Sequence, residues 1–401
     1  MSTDDIGVAV IGAGMAGKAH AAAYRAAPTL YRSALPPVRL VSIADAYEPL
    51  AVETAARYGF ERHDTSWQAI AANDDIQVVS VVVANSLHRE IVEGLLAAGK
   101  HVLCEKPLSD TIDDAEAMVA AADASAAIAR IGLTFRRQPG FAFVNDLVRS
   151  GRLGRAMHVN GYYFTDYGCD PQAPISWRYK GPAGSGALAD VGSHLSYLAE
   201  FAANSEIVAV RGGTLNTVIT SRPKPLGAVV GHEHVAVGEE REMVENDDFA
   251  AFSARFASDA TATLQVSRVS AGHPNTLGVE VFCENGSAAF DFRNPGEVRV
   301  FVAGGDPATN GYRTVILGPE HPYWRGGLAM DAPGVAIGQN DGFVFQARAF
   351  LEEVAGIPES ESLPRNAGFA EGLHNMRMLV AVAESAANDG REVEIAQEDG
   401  R

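Results

Sequence analysis

Residues 6–24 read IGVAVIGAGMAGKAHAAAY. The apolar run 6–11 suits a buried strand, and it enters Gly12-Ala13-Gly14-Met15-Ala16-Gly17 without a break. Alanine-rich sequence through Tyr24 then favours helix. Gly12, Gly14 and Gly17 therefore form G-x-G-x-x-G between a strand and a helix. The first glycine permits the tight turn, the second lets backbone approach a pyrophosphate, and the third allows close helix–strand packing. The backbone N–H groups of Met15 and Ala16, at the helix start, would face the phosphates. In a chain with 40 glycines the triplet alone says little, and its flanking elements are what single it out.

Outward from that turn, the β-rich run 39–44 ends at Asp45, where a carboxylate can accept hydrogen bonds from an adenosine ribose. The interval is longer than the usual ~20 residues, and the excess falls in 28–37, a loop insertion. A carboxylate repels a 2′-phosphate and no arginine immediately follows, so NAD is expected rather than NADP. The structural alternative is that Asp45 only caps the next helix, 49–58. Residues 78–83 are almost continuously β-branched, as in a strand covered on both faces. A helix over 91–98, a strand through Val102 and Leu103, a helix over 111–122 and a strand over 127–133 complete the series. This alternation predicts a Rossmann-type doubly wound parallel sheet, an α/β domain, over 1–135.

Beyond Phe135 the pattern changes. Strand-like stretches at 156–163, 207–220, 248–256, 260–269, 277–284, 287–292 and 298–302 are interrupted by one helix, 187–203. Residues 304–342 read as loops, and 343–355 and 369–387 as terminal helices. The prediction for 136–401 is an α+β domain for substrate binding and oligomerisation, around a large, mostly antiparallel sheet. The last helix would pack back against the first domain. One exposed sheet face suits a homo-oligomer, a dimer or tetramer.

The chain has 401 residues, long enough for two cores, with a formal charge of -18 from 50 acidic and 32 basic side chains. That balance excludes a general phosphate-backbone binder, so no nucleic-acid partner is expected. Cys104, Cys169 and Cys283 are sparse and never in a C-x-x-C pair, as free thiols in a reducing compartment would be. No basic leader precedes the first strand, and no stretch reaches the ~20 apolar residues that cross a bilayer. A cytoplasmic protein without membrane contact is expected.

Candidate chemistry lies at two places. Glu105-Lys106-Pro107 follows a strand at its C-terminal end, the edge where open α/β sheets bind ligands. Lys106 there could hydrogen-bond a substrate hydroxyl, or simply pair with Glu105. Asp190 and His194, four apart, share one helical face. A histidine can take the proton of an alcohol as hydride leaves its carbon, and the carboxylate can hold the substrate or bias the imidazole. Taken alone, an Asp and a His four apart on a helix are more often surface decoration. Trp177-Arg178 could offer a guanidinium fork to a phosphate or sugar. Arg136, Tyr163, His273, His321 and Tyr323 could line a polar sugar pocket. His232 and His234 share a strand face but make a poor zinc site, and no metal is expected.

The chain resembles the glucose-fructose oxidoreductase/inositol dehydrogenase/rhizopine-catabolism (Gfo/Idh/MocA) family. The resemblance runs through VAVIGAGMAGKAH, VVVANSLHREIVEGLLAAGKHVLCEKPLSDTIDDAEAM, GALADVGSHLSYLAEF and FAEGLHNMRMLVAVAESAANDG. It implies an NAD-dependent sugar or cyclitol dehydrogenase with Lys106 as the catalytic lysine orienting substrate, Asp190 as its carboxylate and His194 as general base. It implies contacts to the nicotinamide half of the cofactor from Asn85 and His88, with Trp177 and Arg178 near cofactor and substrate. Glu105 joins the cofactor set, and Arg136, Tyr163 and His321 the substrate set. Two departures stand out: Ala84 replaces the usual proline before Asn85, and Tyr197 replaces a frequent Asp. HPYWRGG and GQNDGFVFQARAF look like the sugar- and inositol-oxidising branches, with levoglucosan-type anhydrosugar dehydrogenases among them. Two alternatives remain: NAD-assisted glycoside cleavage or elimination by transient oxidation, and a non-catalytic dinucleotide-binding regulator.

Overall fold

A computed structural model describes residues 5–31, 35–227, 235–324, 326–335 and 337–396. It divides into two compact units. One comprises Met1–Pro139 with Gly318–His374, the other Gly140–Leu317 with Asn375–Arg401.

In the first unit the strands β1 (Ile6–Ile11), β2 (Val38–Ala44), β3 (Arg62–Asp64), β4 (Val78–Val81), β5 (His101–Cys104) and β6 (Ala129–Ile131) form one sheet in the order β3-β2-β1-β4-β5-β6. All five pairings are parallel. This is the doubly wound order whose direction reverses beside β1, so the loops after β1 and β4 open on one crevice. Helices α1 (Met15–Ala26), α2 (Glu48–Tyr58), α3 (Trp67–Ala71), α4 (His88–Ala97) and α5 (Ile112–Ala124) connect them. Central β1 and β4 are buried along their whole length, which is why they read as unbroken apolar runs.

The second unit holds most of α6 (Pro139–Arg149), then β7 (Ala156–Phe164), α7 (Ser193–Ala203) and β8 (Ile207–Asn216). Next come β9 (Ser221–Pro225), β10 (Val237–Met243), β11 (Phe249–Phe256), β12 (Thr261–Ser267), β13 (Thr276–Cys283), β14 (Gly286–Asp291), β15 (Glu297–Val302) and β16 (Arg313–Ile316). The chain ends through α8 (Gln339–Val354), α9 (Phe369–Ala387) and β17 (Val393–Glu394). A nine-stranded sheet runs β16-β15-β14-β13-β7-β12-β11-β8-β17, antiparallel except for β7 beside β12. Strands β11 and β12 alternate buried with less buried residues, as a sheet packed on one face requires. Leu195 of α7 lies against Gly161 of β7, and Leu195, Leu198, Val159, Leu264 and Val281 are buried.

The structure departs from the sequence reading in three respects. The 135/136 division left 318–374 with the second domain, whereas that segment joins the first unit. The reason is α8: Ala347, Phe350 and Leu351 enter the same core as Val8, Val10, Ala21 and Tyr24. Its buried Arg348 donates to the Ala27 carbonyl at 3.0 Å. The predicted helix 187–203 opens as a π-helical turn, Leu188–Gly192, before becoming α-helical. The short or polar strands β3, β9, β10, β16 and β17 carry no apolar run and went unpredicted, and β16 falls inside the stretch read as loops. His232 and His234 lie outside the described residues. No helix among the described residues is long and apolar enough to cross a membrane. The three cysteines are free.

Candidate functional site

In the first unit the glycine turn is built as its spacing requires. Gly12 has φ +101°, and a Cβ there would lie 2.0 Å from the Val82 carbonyl oxygen. A Cβ on Gly17 would lie 1.8 Å from the Gly12 carbonyl. Gly14 is exposed with open space where a Cβ would stand, and Met15 beside it is exposed as well. The open side of the turn thus faces away from the sheet at the helix N-terminus, where N–H groups lack intrahelical acceptors.

Asp45 does not cap α2, whose N-cap is Tyr47. Its Oδ2 accepts the Ala13 N–H at 2.8 Å and its Oδ1 the Tyr47 N–H at 2.9 Å. The carboxylate therefore ties the end of β2 to the glycine turn while remaining half-buried. A dinucleotide fits this arrangement: a cradle closed by glycines on one side and an acid at the end of the second strand.

After β4, Asn85 begins a short 3-10 turn, Asn85–Leu87, and is half-buried. The missing proline costs the loop nothing in shape: Ala84 has φ -61°, the value a proline ring would impose. His88 is a different matter. It is fully buried, with Nε2 3.2 Å from the Val83 carbonyl and Nδ1 3.2 Å from the carbonyls of both Pro107 and Leu108. Burial lowers its pKa, and the surrounding carbonyls offset that only in part. The ring lies between carbonyls of the loops after β4 and β5, and in its neutral form donates one N–H to one side.

Glu105 also has partners within the protein. Its Oε1 lies 2.9 Å from His20 Nε2, and its Oε2 accepts the Lys106 N–H at 3.1 Å. Burial pushes its carboxyl up, but the bond and charge of His20 and the charge and N–H of Lys106 leave it below its ordinary value. These two bonds anchor the side chain to its own turn and to α1. Lys106 itself is half-buried, and its bond to Pro107 is cis. Arg136 is 3.6 Å from Glu371, and His321 Nδ1 accepts the Gly318 N–H at 3.0 Å within its own turn. Neither is placed by those contacts as the sugar contact that was expected.

In the second unit Asp190 stands in the π-helical turn and His194 one turn later, both half-buried. The Tyr167 O–H donates to Asp190 Oδ2 at 2.8 Å, and Arg178 Nη1 lies 3.9 Å from the same oxygen. Arg178 also lies over the exposed Trp177 ring, 4.5 Å from its centroid. Asp190, Trp177 and Arg178 are thus brought together. The Tyr163 ring is 6.2 Å from that of His194. Its O–H, however, donates to Asn275 at 2.9 Å, and burial with the Asp190 charge raises its pKa. Tyr163 thus stands beside His194 with its O–H turned to Asn275. His273 pairs with Thr276 at 3.2 Å, and the Tyr323 carbonyl accepts the Tyr31 O–H at 2.7 Å.

Several residues here escaped the sequence reading. The buried Asp247 carboxylate accepts three backbone N–H groups, from Gly184 (2.9 Å), Gly186 (3.0 Å) and Leu188 (2.8 Å). It holds the start of the segment that carries Asp190. Next to it, Asp248 accepts from Arg268 Nε at 2.8 Å, while Arg268 Nη1 donates to the Arg178 carbonyl at 2.8 Å. Asn246 donates to that same carbonyl at 3.2 Å. Three adjacent residues thereby hold both Arg178 and the Asp190 turn. Nothing in the spacing announces them; the only signal is Asn-Asp-Asp directly before a strand. Among the described residues no cluster of three or more His, Cys, Asp or Glu side chains is suited to a metal ion.

Comparison with known proteins gives two adjoining family matches. Residues 6–133 match a family model described as an oxidoreductase family with an NAD-binding Rossmann fold, and residues 141–289 match the GFO/IDH/MocA C-terminal domain. Levoglucosan dehydrogenase of Pseudarthrobacter phenanthrenivorans is 34% identical over 388 residues, covering 96% of this chain and 97% of that protein. A solved levoglucosan dehydrogenase in complex with NADH and L-sorbose superposes with a TM-score of 0.88 at 31% identity, over 98% of this chain and 100% of that one. An oxidoreductase domain protein from Kribbella flavida matches with a TM-score of 0.85 at 34% identity over the same shares.

Proposed function

Because the chain belongs to the Gfo/Idh/MocA oxidoreductases and has their NAD-binding Rossmann domain, we propose that it is a dehydrogenase for a sugar or levoglucosan-type anhydrosugar. The observation that carries this reading is the similarity to levoglucosan dehydrogenase along 96% of the chain. Gly12, Gly14, Met15, Ala16, Gly17 and Asp45 would hold NAD, with Asn85 near its nicotinamide half. When bound, NAD supplies the hydride acceptor. The protein's share is orientation and proton handling.

His194 takes the proton from a secondary hydroxyl as the carbon–hydrogen bond breaks, and returns it in the reverse direction. A neutral imidazole is basic enough near neutrality to do so without holding the proton too tightly. Lys106 would donate a hydrogen bond to a substrate hydroxyl, which favours a developing alkoxide. Asp190, which accepts the Tyr167 O–H, would hold the substrate or orient the imidazole. The bonds that hold Glu105, His88 and Asp247 support this reading, since all three stabilise segments that carry the proposed groups.

Mixing the protein with NAD and a panel of levoglucosan, glucose and myo-inositol while following NADH absorbance tests the reading. The expected outcome is NADH formation with an anhydrosugar or sugar. H194A should lower kcat by about 10²–10⁴-fold with NADH affinity retained. No turnover with any polyol would overturn it. Product without net NADH would favour transient oxidation instead, and unchanged activity in both K106A and H194A would remove the assigned roles.

A further inference from the structure

Helix α1 buries a polar face as well as an apolar one. Gly17, His20 and Tyr24 are spaced three and four apart and point toward the sheet, and all three are buried. A buried imidazole and phenol need partners. Tyr24 Oη is 2.9 Å from Ser80 Oγ on β4, Ser80 Oγ is 3.0 Å from His20 Nδ1, and His20 Nε2 is 2.9 Å from Glu105 Oε1. The second Glu105 oxygen accepts the Lys106 N–H at 3.1 Å. With Glu105 ionised, Nε2 carries a hydrogen and donates to it. A neutral ring accepts at Nδ1 from the Ser80 O–H and a protonated ring donates there, while the bond from Nε2 to Glu105 is the same in both.

We propose that His20 is a positioning residue for the reaction: it pins Glu105 beneath the turn and so fixes where Lys106 presents its ammonium. The inference rests on the proposed role of Lys106. Several features favour positioning over packing alone. A fully buried Leu or Met would fill the space beside Phe343, whose ring is 5.4 Å from that of His20, without any polar partner. Instead the chain places an imidazole there and satisfies both its nitrogens with side chains of two different strands or their ends. The carboxylate it holds is 12% exposed, and its other bond goes to the backbone of Lys106 itself. Charged hydrogen bonds of this kind are short, directional and costly to break. A small displacement of a catalytic group is enough to lower a rate by up to ~10²-fold.

Two substitutions separate positioning from fold support. In H20Q the side-chain amide nitrogen stands near the former Nε2 and can still donate to Glu105. In H20N the amide stands near the former Nδ1, so the Ser80 bond survives and the Glu105 bond is lost. The readouts are kcat and KM for the sugar, NADH affinity and melting temperature. A further readout is the chemical shift of Lys106 after ¹³C-dimethylation of the chain's five lysines, identified by its absence in K106R. H20N should lower kcat by about tenfold or more, leave NADH affinity within about twofold, and move the Lys106 signal. H20Q should recover most of the rate and the native signal. The proposal is overturned if both variants keep the wild-type rate and signal, or if both lose rate in step with melting temperature. Turnover that survives K106A would sink the role of Lys106, whereas the Lys106 signal in H20N would still report whether His20 acts on it.

Discussion

The turn that carries Lys106 and the segment that carries Asp190 and His194 are held by opposite means. The Lys106 turn is braced from nearby elements of one sheet: His88 of α4 gathers three backbone carbonyls, and Glu105 leans on His20 of α1. Those braces lie inside the same stretches that announce the dinucleotide fold. The Asp190 segment is braced by residues remote in sequence: Asp247 accepts its N–H groups across 59 to 63 positions, and Tyr167 reaches Asp190 from 23 positions away. One half of the chemistry is thus braced from within the motif-bearing stretches, although His20 and Glu105 lie 85 positions apart, while the other is braced by residues that no motif marks.

Three replacements break or sharpen that contrast. D247A leaves three buried N–H groups without their carboxylate and should cost about 3 kcal/mol or more. Urea unfolding would measure it, and a loss below about 1 kcal/mol would show that the remote brace is dispensable. Y167F removes one hydrogen bond to a charged group and should lower kcat/KM about tenfold. Its melting temperature should hardly move, and an unchanged kcat/KM would detach Tyr167 from the site. A84P has the smallest expected effect. The Ala84 φ already suits proline, so the loop should gain about 0.4–1 kcal/mol from a more restricted unfolded chain. Thermal unfolding would detect it, and a lower melting temperature would mean that the loop before Asn85 is less locally determined than its dihedral suggests.

Much of the first unit was legible because each signal was local. Strand β1 was placed at its observed bounds, and the helix Phe369–Ala387 was read to the residue. Both have long or uniform patterns that leave one period dominant. The residues whose protein partners the sequence did not announce are polar side chains. His88, Glu105 and Tyr163 lie beside the groups proposed to act, yet each turns inward to a carbonyl, an imidazole or an amide. Spacing reports which face of an element a residue occupies, not which partner lies across from it. The domain division slipped for a related reason: α8 is amphipathic wherever it docks, and only the core it joins assigns it to the first unit.

By itself the sequence determined the parallel sheet, the glycine turn and the order of Lys106, Asp190 and His194, since periodicity and backbone sterics act over a few residues. Tertiary structure decided what supports them. Whether a buried carboxylate or imidazole is a ligand contact or a brace depends on the groups that folding brings within 3 Å, and those groups come from strands and loops far along the chain.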